Sequence, residues 1–301
     1  MSNNFHTPAE AMEVHMSAGI HKANLPFGKM FLLGFLAGAF IAFGSASSSA
    51  AMYSITLPSL ARMIGGAVFP VGLMMVVFMG GELFTGNCLI TMVVLDKKVS
   101  VGQLAIHLAV LFISNMLGAM IIAGLFYASG QFGLGNGHLG ALTIQVAVQK
   151  TSLTFVQGVS SGILCNMLVC VAILIAAAAK DIAGKLWGIF FPIWAFFVAG
   201  YEHCIANFYY IPAGILAAKN ENYVAKAQEL YGIELGQITE LGWMDMWKNI
   251  IPVTIGNMIG GAIFVGITVY IVHRRDWKWK HKRSIDAFVE MMGDVNDMEE
   301  K

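Results

Sequence analysis

Charge is scarce in this sequence. Lys, Arg, Asp and Glu make up 12% of its 301 residues, where a soluble domain carries roughly 25%. The shortfall argues against a soluble fold, and a net charge of zero argues against a nucleic-acid-binding surface. Cysteine is scarce too. Cys88, Cys165, Cys170 and Cys204 all lie in apolar runs, with no CxxC and no Cys/His metal spacing. They read as small hydrophobes, so neither disulfides nor a metal site is expected. No HExxH, nucleophile elbow or phosphate loop occurs, so neither enzyme chemistry nor a cofactor is expected. The first residues, MSNNFHTPAEAMEVHMSAGIHKANLPFGK, lack the basic-then-apolar pattern and cleavage site of a secretory leader.

What is abundant is apolar. The chain is 57% hydrophobic with a mean hydropathy of +0.69, which makes it a polytopic membrane protein. A spanning helix needs about 20 mostly apolar residues. Candidate spans are 29–52, 64–95, 101–127, 155–179, 186–218 and 247–272. The second and fifth are too long for one straight helix, and both are interrupted, at GGELFTGN (80–87) and at GYEHCIAN (200–207). Each interruption holds a glycine, then a glutamate, then an asparagine: Glu82 with Asn87, and Glu202 with Asn207.

A second echo pairs ISNMLGAMIIAG in the third span with IGNMIGGAIFVG in the sixth, setting Asn115 against Asn257 and Gly118 against Gly260. The chain therefore divides into two repeats of three spans, 29–140 and 141–272, and an odd number of spans forces the second copy to be inverted. Inverted repeats with broken helices at the midplane point to a solute pathway. Lysine and arginine set the orientation. With both termini cytoplasmic, the inside holds Lys22, Lys29, Lys97, Lys98, Lys180, Lys185, the cluster Arg274–Arg283 and Lys301, and the outside holds Arg62, Lys150, Lys219, Lys226 and Lys248. The tail, 273–301, reads as a basic juxtamembrane anchor, with a lipid-headgroup role as the alternative. In the N-terminal segment, 1–28, Thr7 as N-cap, Pro8 and Glu10 predict a short amphipathic interfacial helix.

Broken helices leave backbone groups unpaired, tolerable in a bilayer only where protein or water satisfies them. Their N-terminal ends attract anions. A charge at that depth costs at least about 2.5–3.5 kcal/mol, so Glu82 and Glu202 are read as ties for the broken loops. His203 is read as functional, because imidazole can offer or accept a proton near neutral pH. Thr85 can bond His203 or a solute, or merely cap its half-helix. Phe69, Leu73, Leu83 and Phe196 are constriction candidates by proximity to the breaks; otherwise they are core or lipid-facing residues. By spacing alone Lys150 is a loop charge. His107 and His138 receive no role.

GELFTGN, GILCNMLVC, GYEHCIANFYYIPAG and IPVTIGNMIGGA occur in order at the expected spans, and together they resemble the formate/nitrite transporter family, from Thr7 to about Tyr270. The likeness is greatest to bacterial formate channels, with nitrite and hydrosulfide channels near. It implies an aquaporin-like all-helical fold of six spans assembled as a homopentamer, one pore per protomer. It places the central pore residues at His203 and Thr85 and assigns Lys150 the positive potential at the pore centre. It puts the constrictions at Phe69, Leu73, Leu83 and Phe196, the buried asparagines at Asn166 and Asn207, and the loop glutamates at Glu82 and Glu202. The function implied is passive or proton-linked passage of small monovalent anions of weak acids, formate first, with His203 either donating a proton or only hydrogen-bonding the anion. A water channel is disfavoured because neither break contains Asn-Pro-Ala. A cation-coupled transporter using Glu82 and Glu202 is the alternative of another class.

Overall fold

The computed structural model describes residues 5–274, and the basic tail beyond them lies outside the described residues. Six segments are long and apolar enough to cross a membrane: Phe27–Met52, Pro58–Met79, Val101–Ala128, Phe155–Ala178, Ile182–Ala199 and Met246–His273. The second and fifth spans begin earlier than expected, at Pro58 and Ile182. Pro58 sits in the first turn of its helix, where its missing N–H costs nothing, and Asp181 caps the other.

The chain opens with α1 (Pro8–Ala23), where Thr7 and Glu10 form the expected reciprocal capping box. The first repeat runs through α2 (Phe27–Met52), α3 (Pro58–Val68), α4 (Val71–Met79), α5 (Phe84–Asn87), α6 (Thr91–Leu95) and α7 (Val101–Ala128). A polar-sided helix, α8 (His138–Thr151), follows. The second repeat comprises α9 (Phe155–Ala178), α10 (Ile182–Ala199), α11 (Cys204–Ala217), α12 (Glu221–Tyr231), α13 (Leu235–Thr239), α14 (Met246–Met258) and α15 (Thr268–His273). A π-helical stretch, Ile259–Ile267, joins the last two. A break absent from the sequence reading separates α3 from α4. Pro70 has no N–H to donate, and the chain steps over it with Gly72 N–H bonding Phe69 C=O at 3.1 Å.

The two repeats pack alike. In the first, α2 lies along α7, and a Cβ on Gly118 would overlap the Phe35 carbonyl; in the second, α9 lies along α14, and a Cβ on Gly260 would overlap that of Ile163. Only glycine permits backbones this close, and such contact is what holds helices together where lipid removes the hydrophobic drive. The glycines matched in sequence thus occupy matched crossings. One face carries both ends of the described chain. His6 N–H bonds Ala178 C=O at 2.8 Å, and Tyr270 donates to Asp96 at 3.2 Å. Met12, Met16, Val93, Val265 and Tyr270 share one buried cluster there. We term this the terminal face.

Candidate functional site

Both interruptions are built the same way. Helix α4 ends at Gly80 (φ +72°) and α10 at Gly200 (φ +76°), each in the left-handed conformation that glycine adopts without strain. After a short extended stretch the half-helices restart at Phe84 and Cys204. One asparagine staples each restart. Asn115 Oδ1 accepts from Phe84 N–H at 2.8 Å, and its Nδ2 donates to Gly34 C=O (2.7 Å) and Glu82 C=O (3.0 Å). Asn257 repeats the pattern, with Cys204 N–H at 2.9 Å, Gly162 C=O at 2.8 Å and Glu202 C=O at 3.0 Å. Each side-chain amide thereby satisfies two backbone groups that the broken ladder leaves open, the N–H at the restart and the glutamate carbonyl, and ties them to a carbonyl of the neighbouring continuous helix.

The glutamates are equally matched, and each is drawn to a lysine. Glu82 accepts from Asn87 Nδ2 at 3.0 Å and Lys22 Nζ at 3.1 Å. Glu202 accepts from Asn207 Nδ2 at 2.6 Å, Asn249 Nδ2 at 3.2 Å and Lys150 Nζ at 2.9 Å. Lys150 is therefore no loop charge. It sits in the last turn of α8, its side chain 15% exposed, above the Tyr210 ring at 5.2 Å. The spacing reading missed this because α8 is too short and too polar to register as a span. Lys22 counts in the sequence only as a cytoplasmic topology charge, and Asn249 was missed altogether. Lys22 lies in the basic last turn of α1, and nothing local to it signals Glu82.

His203 and Thr85 come together. His203 is the N-cap of α11: its Nδ1 accepts from Ala206 N–H at 3.1 Å. A nitrogen that accepts holds no proton, so the neutral ring carries its proton on Nε2 and donates it to Thr85 Oγ1, 2.9 Å away. Asn166 Nδ2 fixes this neighbourhood by donating to Thr85 C=O (3.1 Å) and Asn257 C=O (2.7 Å). The Phe196 ring stacks on His203 with centroids 6.2 Å apart, and Phe69 meets Phe196 edge-on at 5.4 Å.

Two cavities approach this centre from opposite faces. The terminal-face vestibule, about 250 Å³, is lined by Leu73, Leu83, Lys22 and Glu82. The opposite-face vestibule, about 280 Å³, is lined by Phe69, Phe196, His203, Lys150 and Glu202. The four constriction candidates thus divide into one apolar pair for each cavity, and His203 of the buried Thr85–His203 contact lines the same cavity as Phe69 and Phe196. The internal repeat is broken at Thr85 and His203. With Glu82 matched to Glu202, Leu83 takes the place of His203, and Ile205 that of Thr85.

His15 of α1 also lines the terminal-face vestibule, buried, with Nε2 unpartnered. Burial, and secondarily the Lys22 ammonium, push its pKa down from 6.5 to about 3. Once α1 undocks, the ring regains its ordinary affinity. The undocked state therefore binds more protons below pH 6.5, and docking weakens as pH falls from there toward 3, by at most about 1.4 kcal/mol per pH unit. Hydrogen exchange of α1 amides should accelerate, beyond its intrinsic pH dependence, between pH 7 and pH 5 in the wild type and not in His15→Leu. Equal protection factors at both pH values in the wild type would contradict this.

Residues 9–271 match the model of the formate/nitrite transporter family. The chain is 37% identical to the probable formate transporter of Methanothermobacter thermautotrophicus, over 92% of this chain and 100% of that one. It is 33% identical to the formate channel FocA of Escherichia coli strain K12, over 89% and 95%. An uncharacterized transporter of Bacillus subtilis, YrhG, is 38% identical over 93% and 99%. Among solved structures, a pentameric formate channel with formate bound superposes with a TM-score of 0.73 at 28% identity, covering 82% of this chain and 97% of that one. The stapled helix breaks, the six spans and these matches together establish that the chain is a multi-pass membrane protein belonging to the formate/nitrite transporter family.

Proposed function

We propose that this protein is a channel for small monovalent anions of weak acids, formate first, in the bacterial cytoplasmic membrane. Both termini face the cytoplasm, and five copies assemble with one pore each. The observation that carries the reading is the buried Thr85–His203 contact, 2.9 Å long: His203 lines one vestibule with Phe69 and Phe196, and Leu73 and Leu83 line the other. Phe69 and Phe196 on one side, with Leu73 and Leu83 on the other, exclude hydrated ions, since stripping a charge of water without replacement is prohibitive. At the centre the anion meets what replaces that water: the Nε2–H of His203, the hydroxyl of Thr85 and the field of Lys150.

The tautomer bears on how His203 acts. A neutral ring that gave up its Nε2 proton would become imidazolate, and a ring with a proton to spare needs Nδ1–H, which abolishes the cap on Ala206. Of the two roles open to it, donating a hydrogen bond to the anion fits this geometry better than donating a proton. A cation site at Glu82 and Glu202 is disfavoured because lysine and asparagine donors already occupy both carboxylates. Nitrite and hydrosulfide are the alternative solutes within the same class.

The test is flux into proteoliposomes across formate, nitrite, hydrosulfide, acetate and lactate at pH 5.5 and 7.5 (about one unit either side of the ordinary histidine pKa). Formate should pass fastest, without any sodium gradient. Uptake that disappears with the sodium gradient sinks the channel reading.

A further inference from the structure

The opposite-face vestibule holds a cation that takes no part in the Thr85–His203 contact or the Glu202 cluster. Arg62, in the first turns of α3, lines the same 280 Å³ cavity as Lys150, Glu202 and His203. Its guanidinium lies against the second helix break: a Cβ built on Gly200 would stand 3.3 Å from Nη1. The carboxylate of that cavity, Glu202, is already engaged by Lys150, Asn207 and Asn249. Among the described residues Arg62 forms no ion pair. A permanently charged group with five donors thus lines an open vestibule with no carboxylate paired to it among the described residues.

We propose that Arg62 is the capture residue of this mouth, and that its fork selects anions presenting two coplanar oxygens, carboxylates and nitrite, ahead of single-point acceptors. This rests on the channel reading and names its substrate class. The guanidinium offers two parallel N–H groups at the spacing of a carboxylate, whereas an ammonium offers only a point charge. The other mouth makes the contrast. There the cation lining the vestibule without an ion pair among the described residues is Lys185. The two entrances therefore differ in the geometry of their free cation and not in its sign. Arg62 is exposed, so its contribution is that of a screened surface contact and falls with salt.

The experiment measures formate flux against concentration in oriented proteoliposomes, entering from the Arg62 side, for wild type, Arg62→Gln and Arg62→Lys at low and high ionic strength. Both variants should raise the half-saturating formate concentration about 2- to 5-fold at low salt. Maximal flux should stay unchanged, which also shows that the variants are folded. Nitrite should shift in parallel, and high salt should narrow the gap for Arg62→Gln. If Arg62→Lys behaves as wild type while Arg62→Gln does not, charge alone matters and the fork is wrong. If neither variant shifts, Arg62 is not a capture residue and the channel reading stands. If wild type carries no formate, the channel reading fails and this inference falls with it.

Discussion

Replacing Lys150 with methionine should lower formate flux by about tenfold or more and destabilise the protein by about 3 kcal/mol. The stability loss follows from what is left behind. Glu202, its side chain 8% exposed, loses an ammonium 2.9 Å away and becomes an uncompensated carboxylate at the vestibule wall. Breaking a buried pair by removing one partner costs about 3–5 kcal/mol, and the partial exposure of Lys150 argues for the lower end. The flux loss has a different origin, the positive potential felt by an anion on its way to His203. The double variant Lys150→Met/Glu202→Gln separates the two. Neutralising both partners should recover most of the stability in thermal unfolding while flux stays low. Should flux return with stability, Lys150 merely serves Glu202 and contributes nothing to the passing anion.

Asn257→Ala and Asn115→Ala should each destabilise the protein by about 3–5 kcal/mol, and by amounts equal to within about 1 kcal/mol. Each substitution strands one backbone N–H and one loop carbonyl, of Glu82 or Glu202, and removes a further bond to a carbonyl of the neighbouring helix, at distances between 2.7 and 3.0 Å. At membrane depth no solvent replaces those bonds, and each group left open costs about 1–3 kcal/mol, less than additively if water enters. Aspartate at either position should do little better than alanine, because it keeps the single acceptor and loses both donors. Chemical denaturation of the purified variants checks this. A nearly neutral Asn115→Ala beside a damaging Asn257→Ala would mean that the matched geometry does not carry matched energy.

The two breaks were readable because their parts are local. A glycine that ends one half-helix, a glutamate and an asparagine all lie within eight residues, and the copy elsewhere removes the ambiguity of either one alone. His203 was readable for the same reason, as an imidazole inside such a break. The lysines were not, because their partners are distant. Lys150 and Glu202 are 52 residues apart, Lys22 and Glu82 are 60 apart, and no periodicity links them. The matching of Asn115 with Asn257 was visible as an echo, but what those amides bond became visible only once α2 and α9 were in place. The π-helical turn at Ile259–Ile267 is likewise silent, since a segment apolar on all sides has no face by which to register a change of pitch.

Labelled-formate uptake by wild type and Leu83→Trp, read beside thermal unfolding, shows whether formate passes between the two broken helices. Leu83 is 2% exposed and borders the terminal-face vestibule just ahead of Thr85. An indole there blocks the single route proposed between the cavities at an overpacking cost of about 1–3 kcal/mol. The expected result is rapid uptake by wild type and uptake no faster than protein-free liposomes by a folded Leu83→Trp. Undiminished uptake by that folded variant would contradict it, because formate would then be crossing somewhere other than between the two broken helices.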